Sequence, residues 1–316
     1  MTKEIAIGID IGGTNTAIGF VNKDAQIISL SYLKTTDYET AETFVNALSE
    51  VISDITNLHP DIIIKGIGIG APNGNFYNGS IEFAPNLKWK GIVPLSEMII
   101  KKLHVPVLLT NDANAAAIGE MIYGAAVNMK DFIFITLGTG LGSGIVVNGE
   151  MVYGHDGFAG EIGHVIIDPS GRLCGCGRKG CVETYCSATG IKYTFIELLE
   201  KNNIEPVVDK SNINAKYIYD QAIAGNKLAL EAFEITGDYL GFTLANSVAY
   251  TSPEAIFLFG GLANAGEYIF KPTIRSFEKN LLQIYKNKIK ILPSGLKESD
   301  AAVLGAASLI WKELNN

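Results

Sequence analysis

No stretch of this 316-residue chain holds the roughly 20 consecutive apolar residues that span a bilayer, so no membrane helix is expected. Basic residues are the minority: 25 Lys and Arg stand against 33 Asp and Glu, a formal charge of −8. That balance argues against a nucleic-acid or anionic-membrane surface, which needs a basic stripe. The opening MTKEIAIGID lacks the basic n-region, long apolar segment and small-residue cleavage site of a secretory leader, and it enters a strand at once. A cytoplasmic protein is therefore expected, one whose four cysteines stay reduced. What is abundant fits this: 47% hydrophobic residues and 34 glycines describe a well-buried α/β protein rich in tight turns, long enough for two domains.

Three of the cysteines, Cys174, Cys176 and Cys181, fall within eight residues of glycine-rich loop, the first of them ten residues after His164, in GEIGHVIIDPSGRLCGCGRKGCVE. One imidazole and three thiolates complete the tetrahedral shell of a structural zinc without leaving a position for substrate, so such a metal holds shape rather than doing chemistry. Three thiolates on one Zn²⁺ leave a net charge of about −1. Arg172, Arg178 and Lys179 stand beside the ligands to offset it and to favour the deprotonated thiols. Reduced buried thiols and a disulfide loop are the competing readings, and the disulfide needs an exported protein. Cys186 reads as a packed thiol.

Two segments share one grammar. Near the start, IAIGID, IGGTNT, AIGFV, NKDA and QIISL read as strand, glycine turn, strand, tight turn and strand. Near the middle the pattern returns as FIFITLGTGLGSGIVVNGEMVYG, with Gly138, Thr139 and Gly140 in its first turn and the hairpin signal Asn148-Gly149 in its second. This looks like a duplicated half. Glycine turns present backbone N–H groups to a phosphate, a threonine hydroxyl adds a donor, and an aspartate can hold magnesium or its water. Asp10, Gly12, Gly13 and Thr14 supply these parts in the first half, and Gly138, Thr139 and Gly140 in the second. Neither turn is a Walker loop, because no Gly-Lys-Ser/Thr follows, and neither is a Rossmann fingerprint, because a strand follows rather than a helix. A nucleotide held between two related domains is the reading that remains. FLFGGLANAGEYI adds a strand ending by Phe259 and the pair Gly260-Gly261, against which a purine can lie because no side chain blocks it. An ordinary strand-to-helix turn fits the same residues.

After the buried strand VPVLLT, the run NDANAAAIGEMIYG leads into an alanine-rich helix, and Asp112 is the candidate general base. Phosphoryl transfer to an alcohol asks one carboxylate to accept the hydroxyl proton, while positioning and magnesium do most of the rest. Asp112 stands at the expected domain junction. Its alternative role is a helix N-cap, which Asn and Asp fill routinely.

Together these residues resemble a ROK-family sugar kinase, of the glucokinase-like branch of the actin/hexokinase superfamily. The matching stretches run in order along the chain: DIGGTNT at 10–16, NDANAAA at 111–117, LGTGLGSG at 137–144, GFAGEIGH at 157–164, CGCGRKGCVE at 174–183 and the glycine pair at 260–261. The resemblance implies an α/β fold of two actin-like (ribonuclease H-like) domains, each a mixed β-sheet flanked by helices, with a cleft between them. The smaller is expected over 1–111 plus 299–316, and the larger, carrying the zinc loop, over 112–298. The implied activity is that of an ATP:hexose phosphotransferase using ATP, Mg²⁺ and a structural Zn²⁺, working as a homodimer or homotetramer with no nucleic-acid or membrane partner. The implied sugar contacts are Asn86, Asn111, Glu161, His164 and Glu183, with Asp112 as proton acceptor and His164 doubling as a zinc ligand. Carboxylates suit this task because one can accept two hydroxyl bonds at once. Glu183 follows Cys181 by two residues, so the zinc would hold a sugar contact in place.

Fructokinase-like members carry His-Pro-Glu-Met-Gly-His where this chain has Ala159-Gly160-Glu161-Ile162-Gly163-His164. Conversion of glucose to glucose 6-phosphate is therefore expected ahead of phosphorylation of N-acetylmannosamine, N-acetylglucosamine or fructose. A non-catalytic sugar sensor is the rival from another class. Repressors of this family carry a helix-turn-helix ahead of the phosphate motif, which here begins by Asp10, so a repressor is not expected. A filament-forming ATPase would have no use for the zinc loop. Finally, SDAAVLGAASLIWKEL is expected to form a helix capped by Ser299, its small face of Ala301, Ala302, Gly305 and Ala306 crossing the Ala115–Gly119 helix closely.

Overall fold

The computed structural model describes residues 2–297 and 300–315. The β-branched runs at the start form three strands, β1 (Lys3–Ile11), β2 (Thr16–Val21) and β3 (Ile27–Leu33), each antiparallel to the one before. Helix α1 (Ala41–Leu58) follows, capped by the Thr40 hydroxyl, and buries Phe44, Val45, Leu48 and Ile52 at helical spacing. β4 (Ile62–Ala71) then lies parallel to β1. Three short strands, β5 (Gly74–Asn75), β6 (Ser80–Glu82) and β7 (Ile92–Val93), make a small sheet of their own. Helix α2 (Leu95–Leu103) and β8 (Val107–Asn111) complete the main sheet in the order β3-β2-β1-β4-β8, and α3 (Asp112–Tyr123) leaves its edge. Because β1, β4 and β8 are parallel, Asp10, Gly70 and Thr110 stand side by side at their carboxyl ends, with Asn111 and Asp112 next along. That edge is where open α/β sheets bind ligands.

A second unit repeats the plan. β9 (Phe132–Leu137) and β10 (Leu141–Val147) are antiparallel, and β11 (Glu150–Met151) follows a turn in which Asn148 and Gly149 take φ of 55° and 79°. Two positive φ values are what this tight hairpin requires. β12 (Ala255–Phe259) lies parallel to β9, and β13 (Lys290–Pro293) parallel to β12, giving the order β11-β10-β9-β12-β13. Hairpin strands on one side and parallel strands on the other reproduce the first sheet, so the duplication read from two glycine turns holds in topology. Helices α4 (Ala188–Lys201), α5 (Ala215–Ile223), α6 (Lys227–Thr251) and α7 (Glu267–Asn280) supply the core that includes Phe195, Phe233, Leu244 and Phe277. No helix among the described residues is long and apolar enough to cross a membrane.

Helix α8 (Ala301–Asn315) returns to the first sheet. A side chain at Gly68 would overlap the carbonyl oxygen of Ala306, so the helix lies directly on β4. The expected close crossing with α3 is present: a Cβ at Gly305 would come 2.7 Å from the Ala115 carbonyl oxygen. The proposed cap Ser299 lies outside the described residues. Contacts divide the chain into one unit of residues 1–129, 151–160 and 295–316 and another of 130–150 and 161–294. The division thus falls after Met129 rather than after Asn111, because α3 packs along α8 and stays with the first unit. Residues 151–160 join it because the Asn75 side-chain amide donates to the Asp156 carbonyl at 2.8 Å and the Tyr77 hydroxyl to the Gly154 carbonyl at 2.7 Å.

Candidate active site and metal loop

In the first unit, the glycine turn closes with the Gly12 N–H donating to the Asn15 carbonyl at 3.0 Å. Gly13 lies against Asn86: a Cβ there would sit 2.8 Å from the Asn86 carbonyl oxygen. The turn and the 84–89 loop are therefore one local structure. That loop is anchored by buried Leu87 and Trp89, the indole N–H donating to the Tyr38 carbonyl at 3.2 Å. Thr14 is exposed, as a hydroxyl meant for a ligand has to be.

Asn111 ends β8 and caps α3, its side-chain oxygen accepting the Ala113 N–H at 2.8 Å, while Asp112 Oδ1 accepts the same N–H at 2.7 Å. Asn111 thus fills the cap that was the rival role for Asp112. Protein crowding strips water from the Asp112 carboxyl and raises its pKa, outweighing the backbone N–H groups that lower it. The residue nevertheless keeps a face open to solvent. Half-buried Asp10 is pushed from 3.8 up to about 6, first by burial and second by the charge of Asp112. Two crowded carboxylates that repel each other suit a divalent cation or its water on one and a proton to accept on the other. Gly70 was not singled out in the sequence, yet a Cβ there would stand 3.5 Å from Asp112 Cα.

In the second unit, the Gly138–Gly140 turn joins β9 to β10, with Thr139 exposed. Gly260, at φ 98°, lies against the end of β9, where the Leu262 N–H donates to the Leu137 carbonyl at 3.2 Å. The two glycine elements assigned to nucleotide are therefore neighbours, with Gly261 exposed beside them. Gly140 abuts Glu183: a Cβ would lie 2.6 Å from Glu183 Oε2. Glu183 Oε1 is 3.7 Å from His164 Nδ1, and His164 Nε2 is 4.0 Å from Glu161 Oε2. The three residues taken as sugar contacts in this unit thus form one row. The sequence did not reveal what seats them: the Ser143 hydroxyl accepts the Ile162 N–H at 3.1 Å, and Gly163 fits against the Leu141 carbonyl. Both residues fall inside the quoted motifs, but nothing in their type marked this contact.

Donor atoms of His164, Cys174, Cys176 and Cys181 all lie within 4.8 Å of one another. Cys176 and Cys181 sulfurs are 3.7 Å apart, and Cys174 Sγ is 3.6 Å from His164 Nδ1. A tetrahedron with Zn–S near 2.3 Å and Zn–N near 2.0–2.1 Å has edges of about 3.8 and about 3.6 Å, so the donor set fits a zinc ion. Arg178 Nε lies 3.5 Å from Cys176 Sγ and holds that thiol down to about 6, while burial pushes Cys174 and Cys181 up. Arg172 does not serve the sulfurs. Its guanidinium pairs with Glu197 at 2.6 Å, donates to the Thr184 and Gly190 carbonyls and stacks on Tyr185, which ties the loop to α4 instead. Cys186 is a packed thiol as expected, fully buried and donating to the Thr236 carbonyl at 3.5 Å.

Known proteins resemble this chain along its whole length. A glucokinase from Thermotoga maritima is 32% identical over 99% of each chain, and one from Halalkalibacterium halodurans is 34% identical over 100% of this chain and 98% of that one. The crystal structure of a ROK family glucokinase from Streptomyces griseus in complex with glucose and AMPPNP superposes with a TM-score of 0.81 at 32% identity, covering 98% of this chain and 99% of that one. The family model for the ROK family matches residues 6–313, and the chain belongs to that family.

Proposed function

We propose that this chain is an ATP-dependent glucokinase that transfers the γ-phosphoryl group to the 6-hydroxyl of glucose. The observation that carries the proposal is Asp112, a carboxylate with raised pKa on the first turn of a capped helix, at the carboxyl edge of the sheet and beside Asp10. Relatives called glucokinases at 32–34% identity support the choice of sugar. In this reading Asp112 accepts the hydroxyl proton as the sugar oxygen attacks the γ-phosphorus, and ADP leaves. A raised pKa helps, since a base works best when its pKa approaches the working pH. In the same reading Asn86, Asn111, Glu161, His164 and Glu183 are the residues that contact the sugar. The turns at Gly12–Thr14 and Gly138–Gly140 take the phosphates, and Gly260-Gly261 the purine.

Asp10 is the residue that would hold Mg²⁺ or its water, and the chemistry such an ion would supply is charge neutralisation on the transferring phosphates. His164, Cys174, Cys176 and Cys181 would hold Zn²⁺, which would fix the loop that carries Glu183. A cytoplasmic homodimer or homotetramer is part of the same proposal, and light scattering on the purified protein tests its size. The test of the function is ADP release with Mg-ATP against glucose, mannose, fructose, N-acetylglucosamine and N-acetylmannosamine, with Asp112→Asn as control. Asp112-dependent turnover greatest on glucose is expected. Preference for an N-acyl sugar would move the substrate, and silence on every sugar would leave a sensor.

A further inference from the structure

Glu120 lies in the last turn of α3 and is fully buried. That placement is doubly unfavourable: a carboxylate near the C-terminal end of a helix opposes its dipole, and a buried charge must be met by donors. Here Oε1 accepts two backbone N–H groups, from Ala125 at 2.8 Å and from Gly295 at 2.8 Å. The backbone is shaped around this acid: a Cβ at Gly124 would come 2.5 Å from Glu120 Oε2, and one at Gly295 would come 2.5 Å from the Ala125 nitrogen. The two donors belong to particular segments. Ala125 lies on the stretch by which the chain first leaves the first unit, after Met129, and Gly295 is the residue at which it returns for the last time, residues 151–160 being an earlier return between them. Asp112 opens the same helix that Glu120 closes.

We propose that Glu120 is a positioning residue for phosphoryl transfer: its carboxylate fastens the departing and returning segments to one end of the helix whose other end carries the general base. The inference rests on the kinase reading above. One acid does what an apolar side chain cannot, because a single oxygen meets two N–H groups. Glu120 is no part of the phosphate, sugar or metal sets, so it acts through the helix it closes, whose first turn carries Asp112. Loosening that end of the helix lowers the fraction of molecules with the base in place and lowers kcat/KM for both substrates by the same factor.

The test compares Glu120→Ala with Glu120→Gln in the full chain, the latter keeping an oxygen acceptor. Kinetics are corrected for folded fraction, and hydrogen exchange is followed on peptides covering Ala125 and Gly295. For Glu120→Ala, exchange at both segments is expected to quicken and kcat/KM to fall for ATP and glucose together, each by about tenfold, while Glu120→Gln stays within about threefold of the parent. Activity per folded molecule within about twofold of the parent in Glu120→Ala would overturn the proposal, as would a loss confined to one substrate or an equal loss in Glu120→Gln. Should Glu120→Ala fail to fold, Glu120→Asp, with its carboxylate retracted by one methylene, carries the same test. A parent silent on every sugar would sink the kinase reading and leave the exchange comparison to decide whether Glu120 fastens the two segments.

Discussion

Replacing Asp10 by Asn removes a charge that the fold holds against its own stability. Burial first, and the neighbouring Asp112 second, lift this carboxyl from 3.8 to about 6. A group whose folded pKa stands above its unfolded one keeps its proton longer when folded. Its contribution to stability is therefore fully present below about pH 4 and is lost as the pH rises through about 6. Above that window the ionised group opposes folding by roughly 3 kcal/mol, or roughly 2 after allowance for its partial exposure to water. Asp10→Asn is thus expected to stabilise the ligand-free, metal-free protein by about 2 kcal/mol at about pH 8, with less than half of that gain left near pH 4.5. Urea unfolding followed by tryptophan fluorescence reads this cleanly, because both tryptophans, Trp89 and Trp311, are buried in the unit that contains Asp10. The midpoint should move up by roughly 1 M urea. A variant no more stable than the parent at the higher pH, or a gain identical at both, would refute the reasoning. Turnover should fall in the same variant, which is the pattern of a site held in readiness for a cation.

Asp112→Asn should cut turnover by about 10²–10⁴ while calorimetry shows glucose still bound, and near-normal rates would remove Asp112 as the base. Because crowding raises the Asp112 pKa above 3.8, kcat/KM should decline as the pH falls through that raised value and level off above it; a profile flat down to about pH 4 contradicts this. Removing the metal with a chelator, or substituting Cys181→Ser, should weaken glucose binding by about 10–100-fold with a smaller effect on ATP. Unchanged sugar affinity in metal-free protein would make the loop a bystander. Gly68→Val should destabilise the first unit by about 3 kcal/mol, since its side chain meets the Ala306 carbonyl, and tryptophan-monitored unfolding with a loss under about 1 kcal/mol would mean that α8 moves aside freely.

Local rules carried the reading far where the chemistry is local. Strand-turn-strand patterns, the Asn148-Gly149 hairpin and the metal donors are short-range features, and the two sheets reproduce each other as the paired glycine turns suggested. Long-range packing was less legible. The resemblance puts the unit boundary at 111/112, whereas α3 packs against α8, nearly two hundred residues later in the chain. Arg172 neighbours the thiolates in sequence, yet its partners Glu197 and Tyr185 lie on other turns of the fold. Gly70, Ser143 and Gly163 are small residues whose importance comes from what presses against them, and composition carries no trace of that.

The seat of α8 on Gly68 also sets a timetable for biosynthesis. The first sheet's strands leave the ribosome early, but the helix that covers β1 and β4 is translated only after residues 72–300. At roughly 5–20 residues per second, that bare glycine-lined face waits roughly 10–50 s for its partner. The second unit, whose segments are complete by Ser294, has everything it needs before α8 exists. In a growing chain the later half is therefore positioned to fold ahead of the earlier one, and the nascent first sheet is the part that a chaperone would have to shield.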